Sequence, residues 1–226
     1  MMNAIIAFTR KIFANLKSRP YNQLMKKMQA FSTVLILLSM AMVSYSQHTD
    51  DSMQAMGFKK IEVRELKENT IKLFADDWGL VTAGDSADFN TMTISWGGIG
   101  NLWNKPATFI FIKPERYTFD FIEKHQSYTI SFFDHAEYKD DLLVCGSKSG
   151  RDGDKLKETK LTKLCLPSGE MAFKEARIIF ECKIIYQDSL SAETTPDRKK
   201  KRYYKTDRFH KMYVGEITAI WRKENE

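Results

Sequence analysis

The stretch Asn90–Pro106, NTMTISWGGIGNLWNKP, brings hydroxyls, flexible backbone and two large flat rings together. In an extended strand Thr91, Thr93 and Ser95 project to one side, and Met92 and Ile94 to the other. Gly97, Gly98 and Gly100 then permit close backbone approach and positive φ. With Asn90 and Trp96, these groups suit a flat, hydrogen-bonding, phosphorylated cofactor. They also suit an edge strand and a tight turn with core tryptophans, and so short a motif does not decide between the two.

Three further segments carry groups for binding anions. In Lys113-Pro-Glu-Arg-Tyr-Thr118, two cations and a hydroxyl sit just ahead of a helix, where free N–H groups favour negative charge. Arg116 can clamp a phosphate with two parallel bonds and Thr118 can add a hydroxyl. The same residues serve equally as a helix cap with surface charges. In Cys145-Gly-Ser-Lys-Ser-Gly-Arg-Asp152, followed by Lys155, the turn amides with Ser147, Lys148 and Arg151 form another anion-binding concavity. It lacks the order of a P-loop. In Phe209-His-Lys-Met-Tyr-Val-Gly-Glu216, His210 opens a strand, a position where histidine is usually structural or exposed. No serine–histidine–aspartate order or carboxylate pair supports acyl transfer or glycoside hydrolysis. Cys145, Cys165 and Cys182 match no zinc spacing.

The elements that must position these groups are mostly strands. Trp78–Ala83, Asn90–Ser95 and Ser127–Phe133 read as strands, and Ala107–Ile112 as one buried on both sides. Glu175–Tyr186 alternates over so long a run that it should bend around a barrel. Lys211–Arg222 closes the chain as a strand. Tyr117–His125, His135–Val144 and Asp154–Thr159 read as short helices, the first with Thr118 as N-cap. Residues 47–57 read as a loose tail and Ser189–Arg208 as a loop or insertion around the basic run Arg198–Arg202. The fold class expected is therefore mainly β with short helices, a β-barrel with helical additions.

The first 46 residues differ from the rest. They hold six basic residues and no acidic ones, leaving 29 Lys+Arg against 29 Asp+Glu in the remainder of this 226-residue chain. The net charge of +6 thus comes from this leader, which removes the inference from a basic chain to a nucleic-acid partner. Lys26-Lys27, the apolar run Phe31–Val43 and the small residues Ser44 and Ser46 read as a secretory signal, with cleavage before Gln47 and Met25 as the expected translation start. The apolar run is short against the roughly 20 residues a membrane span needs. The expectation is an exported protein without a stable span after cleavage, or one anchored by an uncleaved leader. The mature part, residues 47–226, suffices for one domain with a full core.

Taken in order, Asn90–Pro106, Lys113–Thr118, Cys145–Lys155 and Phe209–Ile217 resemble the flavin reductase-like family, which includes the flavoredoxin-type proteins. The resemblance covers roughly Thr70–Arg222. It implies an FMN-binding split β-barrel, a homodimer with FMN held non-covalently near the interface, and either NAD(P)H-dependent flavin reduction or electron carriage. Carried over by position, Asn90, Thr91, Met92, Thr93, Ile94, Ser95 and Trp96 would line the isoalloxazine. Lys113, Arg116, Thr118, Ser147, Lys148 and Arg151 would face the phosphate. His210 falls on the nicotinamide side, but Arg208-Phe209 stands where the reductases carry Gly-Asp. That departure, and the export signal, make a redox protein an alternative electron donor to NAD(P)H.

Overall fold

The computed structural model describes residue 25 and residues 31–37, 39–40, 51–204 and 208–224. The chain divides into two units, Met1–Asp51 and Ser52–Glu226. In the first, the described residues are helical, and Phe31, Val34, Leu35, Ile36, Leu37 and Met40 are exposed. Among the described residues no helix is long and apolar enough to cross a membrane. The expected cleavage site lies outside them.

The second unit is built on one antiparallel sheet. Its strands are β1 (Phe58–Ile61), β2 (Gly79–Gly84), β3 (Phe89–Ile94), β4 (Gly97–Leu102), β5 (Lys105–Ile112), β6 (Ser127–Phe132), β9 (Ile178–Ser189) and β10 (Lys211–Lys223). β7 (Lys163–Cys165) and β8 (Met171–Phe173) form a separate hairpin. The main order is β3-β2-β6-β9-β10-β5-β4, with β1 added to β10. β3 and β4 are the two ends of that path, yet only Ser95 and Trp96 join them in sequence. A link of that length spans about 10 Å at most, so the sheet must curl until its ends nearly meet. The long strands β9 and β10 make the curl possible. Their register shifts between Val214 and Gly215 and again between Ile217 and Ala219, and such bulges increase bend and twist. A side chain at 215 would stand 2.5 Å from the Tyr128 hydroxyl, so only glycine lets β10 pass that close.

In β9 apolar residues alternate with polar ones, except that Ile179 and Ile185 fall on the polar side. Both faces of its first half are buried, because two apolar clusters flank the sheet. Ile178, Phe180 and Cys182 join Val81, Ile110, Ile130, Phe132 and Tyr213 inside the barrel. Ile179 joins Leu80, Phe133, Leu142, Phe173 and Trp221 on the outside, beneath the hairpin and a helix. Met53 and Phe58 are buried in this outer cluster, and residues 51–55 are helical. The described part of the expected loose tail, residues 51–57, is therefore a helical turn anchored by Met53, with most of its other residues exposed.

Two helices cover the end of β3. α1 (Tyr117–His125) has the expected bounds and buries Thr118, Phe121 and Ile122, but its N-cap is Arg116 rather than Thr118. α2 (His135–Ser147) begins at Asp134, whose side chain accepts from the Ala136 amide, and takes in Gly146 and Ser147 that were expected in a loop. The basic run lies in a third helix, α3 (Asp197–Tyr203), rather than in irregular chain. The glycine-rich segment after Trp96 is a strand, not a turn. The reversal comes later, at Trp103 and Asn104, which have φ of 53° and 61°. Two consecutive positive φ values suit the tight hairpin between β4 and β5, and no pattern in Gly97–Gly100 points to them.

Candidate functional site

The break between β3 and β4 opens into a cavity of about 220 Å³, lined by Met92, Thr93, Ile94, Ser95, Trp96, Phe111, Lys113, Arg116 and His210. A smaller cavity of about 80 Å³ adjoins it. It shares Met92 and Arg116 with the first and adds Asn90, Thr118, Ser147, Lys148, Gly150 and Lys155 among its walls. One end is thus broad, with two flat rings, and the other is narrow, with Arg116, Lys148 and Lys155 against one carboxylate, Glu115. Segments 19 to over 100 residues apart meet here because the curl of the sheet brings the start of β10 to the end of β5, beside β3.

The narrow end is tightly built. Asn90 Nδ2 donates to Thr118 Oγ1 at 2.7 Å, and both residues are buried. A Cβ at Gly150 would lie 2.1 Å from Asn90 Oδ1. Glycine alone lets the loop after α2 close over β3. Lys155 enters from that loop with 6% of its surface exposed. Its ammonium donates to the carbonyls of Cys145 and Lys148, both at 3.0 Å. Among the described residues no carboxylate pairs with it. Burial lowers its pKa, Cys145 works the other way, and Arg116 lowers it further. A buried cation held only by carbonyls is costly without an anion. Here it faces a cavity of phosphate size that also holds Arg116, whose Nη1 donates to Gly146 O at 3.2 Å. Cys145 lines the same cavity, and burial pushes its thiol up to about 11, so it carries no thiolate at neutral pH.

Not every expected ligand is available. Lys148 is paired with Glu158 at 2.5 Å, and Ser147 donates to Leu143 O in its own helix. Arg151 is committed to Asp120 at 2.6 Å and to Glu115 O, and it lies over the Tyr117 ring. It borders another cavity, of about 390 Å³, as does Thr91; that cavity shares Asn90, Tyr117, Gly150 and Lys155 with the narrow one. Thr91 turns inward, donating to Val81 O and accepting from Thr82. Neither Arg151 nor Thr91 lines the two joined cavities. Thr93 reaches them, but its hydroxyl donates to Leu142 O at 2.5 Å and so ties β3 to α2. Lys155 is the residue that motif reading left without a role. Its place directly after the glycine-rich loop was the available signal, but nothing in the sequence distinguishes a buried lysine from a solvated one.

The broad end is closed by aromatic contacts. Trp96 meets Tyr203 edge-on with centroids 5.0 Å apart and His210 at 4.9 Å. His210 Nδ1 lies 2.9 Å from the Tyr204 hydroxyl. Lys113 donates to Tyr203 O and sits over the Tyr204 ring. Burial, with Lys113 and Arg116 adding to it, lowers His210 to about 4. The imidazole is therefore neutral at physiological pH and does not serve as a standing cation.

Residues 71–226 match the flavin reductase like domain. No curated protein matches the chain. Among solved structures, the flavoredoxin of Methanosarcina acetivorans is similar at 21% identity and a TM-score of 0.50, over 66% of this chain and 69% of that one. For the flavoredoxin of Desulfovibrio vulgaris (Miyazaki F) the values are 22%, 0.50, 72% and 74%. An FMN-binding domain of a flavin reductase-like enzyme from Shewanella baltica matches at 16% identity and a TM-score of 0.53, over 74% and 77%. These likenesses speak to the fold, a split β-barrel, and the domain match covers well over half the chain: it belongs to the flavin reductase-like family.

Proposed function

We propose that the chain is an FMN-binding oxidoreductase of the flavin reductase type, taking electrons from NAD(P)H or from a protein donor. The observation that carries this reading is Lys155: a buried ammonium without a carboxylate partner among the described residues, facing a phosphate-sized cavity joined to a broader one walled by Trp96 and Phe111. The residues fit the group. Lys155 and Arg116 would hold the phosphate, with Thr118 and the loop at Gly150 shaping its seat. Met92, Ile94, Trp96 and Phe111 would flank the ring system and keep water from it. Bound FMN would itself supply the two-electron and one-electron chemistry. His210, neutral and fixed by Tyr204, would shape the access side without delivering a proton.

The phosphate seat suits a terminal monophosphate, so FMN should bind more tightly than riboflavin. Titration of the FMN-free protein tests this. Flavin quenching and a spectral shift at micromolar FMN support the reading; none up to high micromolar FMN refutes it. Anaerobic mixing of the FMN-loaded protein with NADH and NADPH then separates a reductase from a pure electron carrier. The leader favours the carrier reading with a redox-protein donor, because export removes the chain from the NAD(P)H pool.

A homodimer is part of the same proposal. Trp103 on the β4–β5 hairpin is 65% exposed and pairs edge-on with Tyr186, itself 38% exposed. Exposed aromatics beside the terminal strand of a sheet mark an interaction surface. Sedimentation equilibrium of the wild type and of Trp103→Asp tests it; a wild-type monomer at micromolar concentration refutes it.

A further inference from the structure

Beside the two joined cavities lies a third, a groove of about 450 Å³ between Trp96 and α3. That volume falls in the roughly 300–1,000 Å³ range of small-molecule sites. Its walls are mainly apolar and aromatic, Trp96, Leu190, Pro196, Tyr203 and Tyr204, with Thr194 and Thr195 adding hydroxyl groups. Among the described residues Lys199 is the one charged side chain lining it, and its ammonium lies 5.8 Å from the Tyr203 ring centre. Among the described residues Lys199 has no carboxylate partner, whereas Asp197, the nearest acid in sequence, is taken up by Lys200 at 2.7 Å. The neighbouring residues Arg198, Lys200, Lys201 and Arg202 reinforce the positive field.

We propose that this groove binds a small planar aromatic anion, its ring against Trp96 and Tyr203 and its carboxylate or phosphate on Lys199. Flat rings stack on aromatic walls, and a cation left unpaired at the rim selects for a negative group. The two requirements together favour such a ligand over an aliphatic acid, which would leave the rings unmatched, and over a neutral arene, which would make no contact with Lys199. Trp96 is a wall of both this groove and the broad cavity. An occupant of the groove therefore touches a residue of the proposed flavin site. Its relevance to electron exchange rests on the flavin reading; the binding itself does not.

The test uses the full chain with FMN added and calorimetric titration with three probes: naphthoate, the neutral naphthalenemethanol, and adenosine 2′-monophosphate. Naphthoate should bind at least tenfold more tightly than the alcohol. Lys199→Glu should abolish that advantage while leaving FMN affinity unchanged, with Lys199→Gln giving an intermediate loss. Tighter binding of the nucleotide, lost in the same variant, also supports the proposal and makes the planar anion a nucleotide base and phosphate. Absence of binding by both anions, or equal binding by wild type and Lys199→Glu, overturns it. Lys199-dependent binding of naphthoate by a protein that takes up no FMN would leave this site standing and remove the proposed function.

Discussion

Replacing Lys155 by methionine separates two roles, the helix-end donor seen in the structure and the phosphate ligand proposed above. Among the described residues its ammonium has no carboxylate partner, and it donates to the carbonyls of Cys145 and Lys148, at the C-terminal end of α2. A helix cap and a phosphate ligand would look the same in the FMN-free protein. Their energetics differ. Methionine fills nearly the same volume and removes the cost of a buried charge, and exchanging buried charges for apolar groups is often neutral or stabilising by about 1–4 kcal/mol. Against this, two carbonyls lose a donor, at about 1–3 kcal/mol for each that stays unsatisfied. The two effects nearly cancel, so the FMN-free Lys155→Met protein should melt close to the wild type. For FMN the account is one-sided. A charge-assisted bond to the phosphate contributes about 1.5–3 kcal/mol, so affinity should fall roughly ten- to a hundredfold. Riboflavin, which lacks the phosphate, should bind both proteins alike. Flavin fluorescence titration with both ligands, together with thermal melts, provides the readings. Equal losses for FMN and riboflavin, or a large drop in melting temperature with FMN affinity unchanged, would show that Lys155 is a structural cap and refute the phosphate seat.

Arg116→Ala should weaken FMN roughly tenfold or more, by the same about 1.5–3 kcal/mol, with little effect on folding because Arg116 is exposed; an unchanged dissociation constant in the folded variant counts against it. Gly150→Ala forces a Cβ to within 2.1 Å of Asn90 Oδ1, so the loop over the phosphate seat must shift, costing about 1–3 kcal/mol of stability and weakening FMN; unaltered binding and melting would show that the loop is free to yield. His210 titrates at about 4 in the fold against an ordinary 6.5. As pH falls, the unfolded chain takes up this proton first, so stability present above 6.5 is lost progressively down to about 4. His210→Asn should flatten the stability profile over that window relative to wild type, and parallel profiles would refute the shift. Finally, N-terminal sequencing of protein from the fractionated native host should begin at Gln47; intact Met1 or Met25 on a soluble cytoplasmic protein would sink export and restore NAD(P)H as donor.

Local sequence alone determined the elements with strong periodic or capping signals. Tyr117–His125 is helical as read, and β2, β3, β6, β9 and β10 lie within a few residues of their expected bounds, because alternation and caps act over neighbouring residues. It also located the stretch Met92–Trp96 and the residues Arg116 and His210, since cations, rings and glycines are visible by type. Tertiary structure decided which of them meet. Strand curvature, set by the bulges in β10 and the two-residue link between β3 and β4, brought His210 beside Trp96. Burial turned Lys155 from one lysine among many into a cation without a counter-charge among the described residues, while Lys148 and Arg151, equally cationic in sequence, were claimed by Glu158 and Asp120. Sequence spacing carries no information on such pairing, because an ion pair depends on distance across the fold and a pKa on the water that the fold excludes. The same holds for Thr91, whose type suited the site but whose hydroxyl is taken by Thr82 and the Val81 carbonyl on the neighbouring strand.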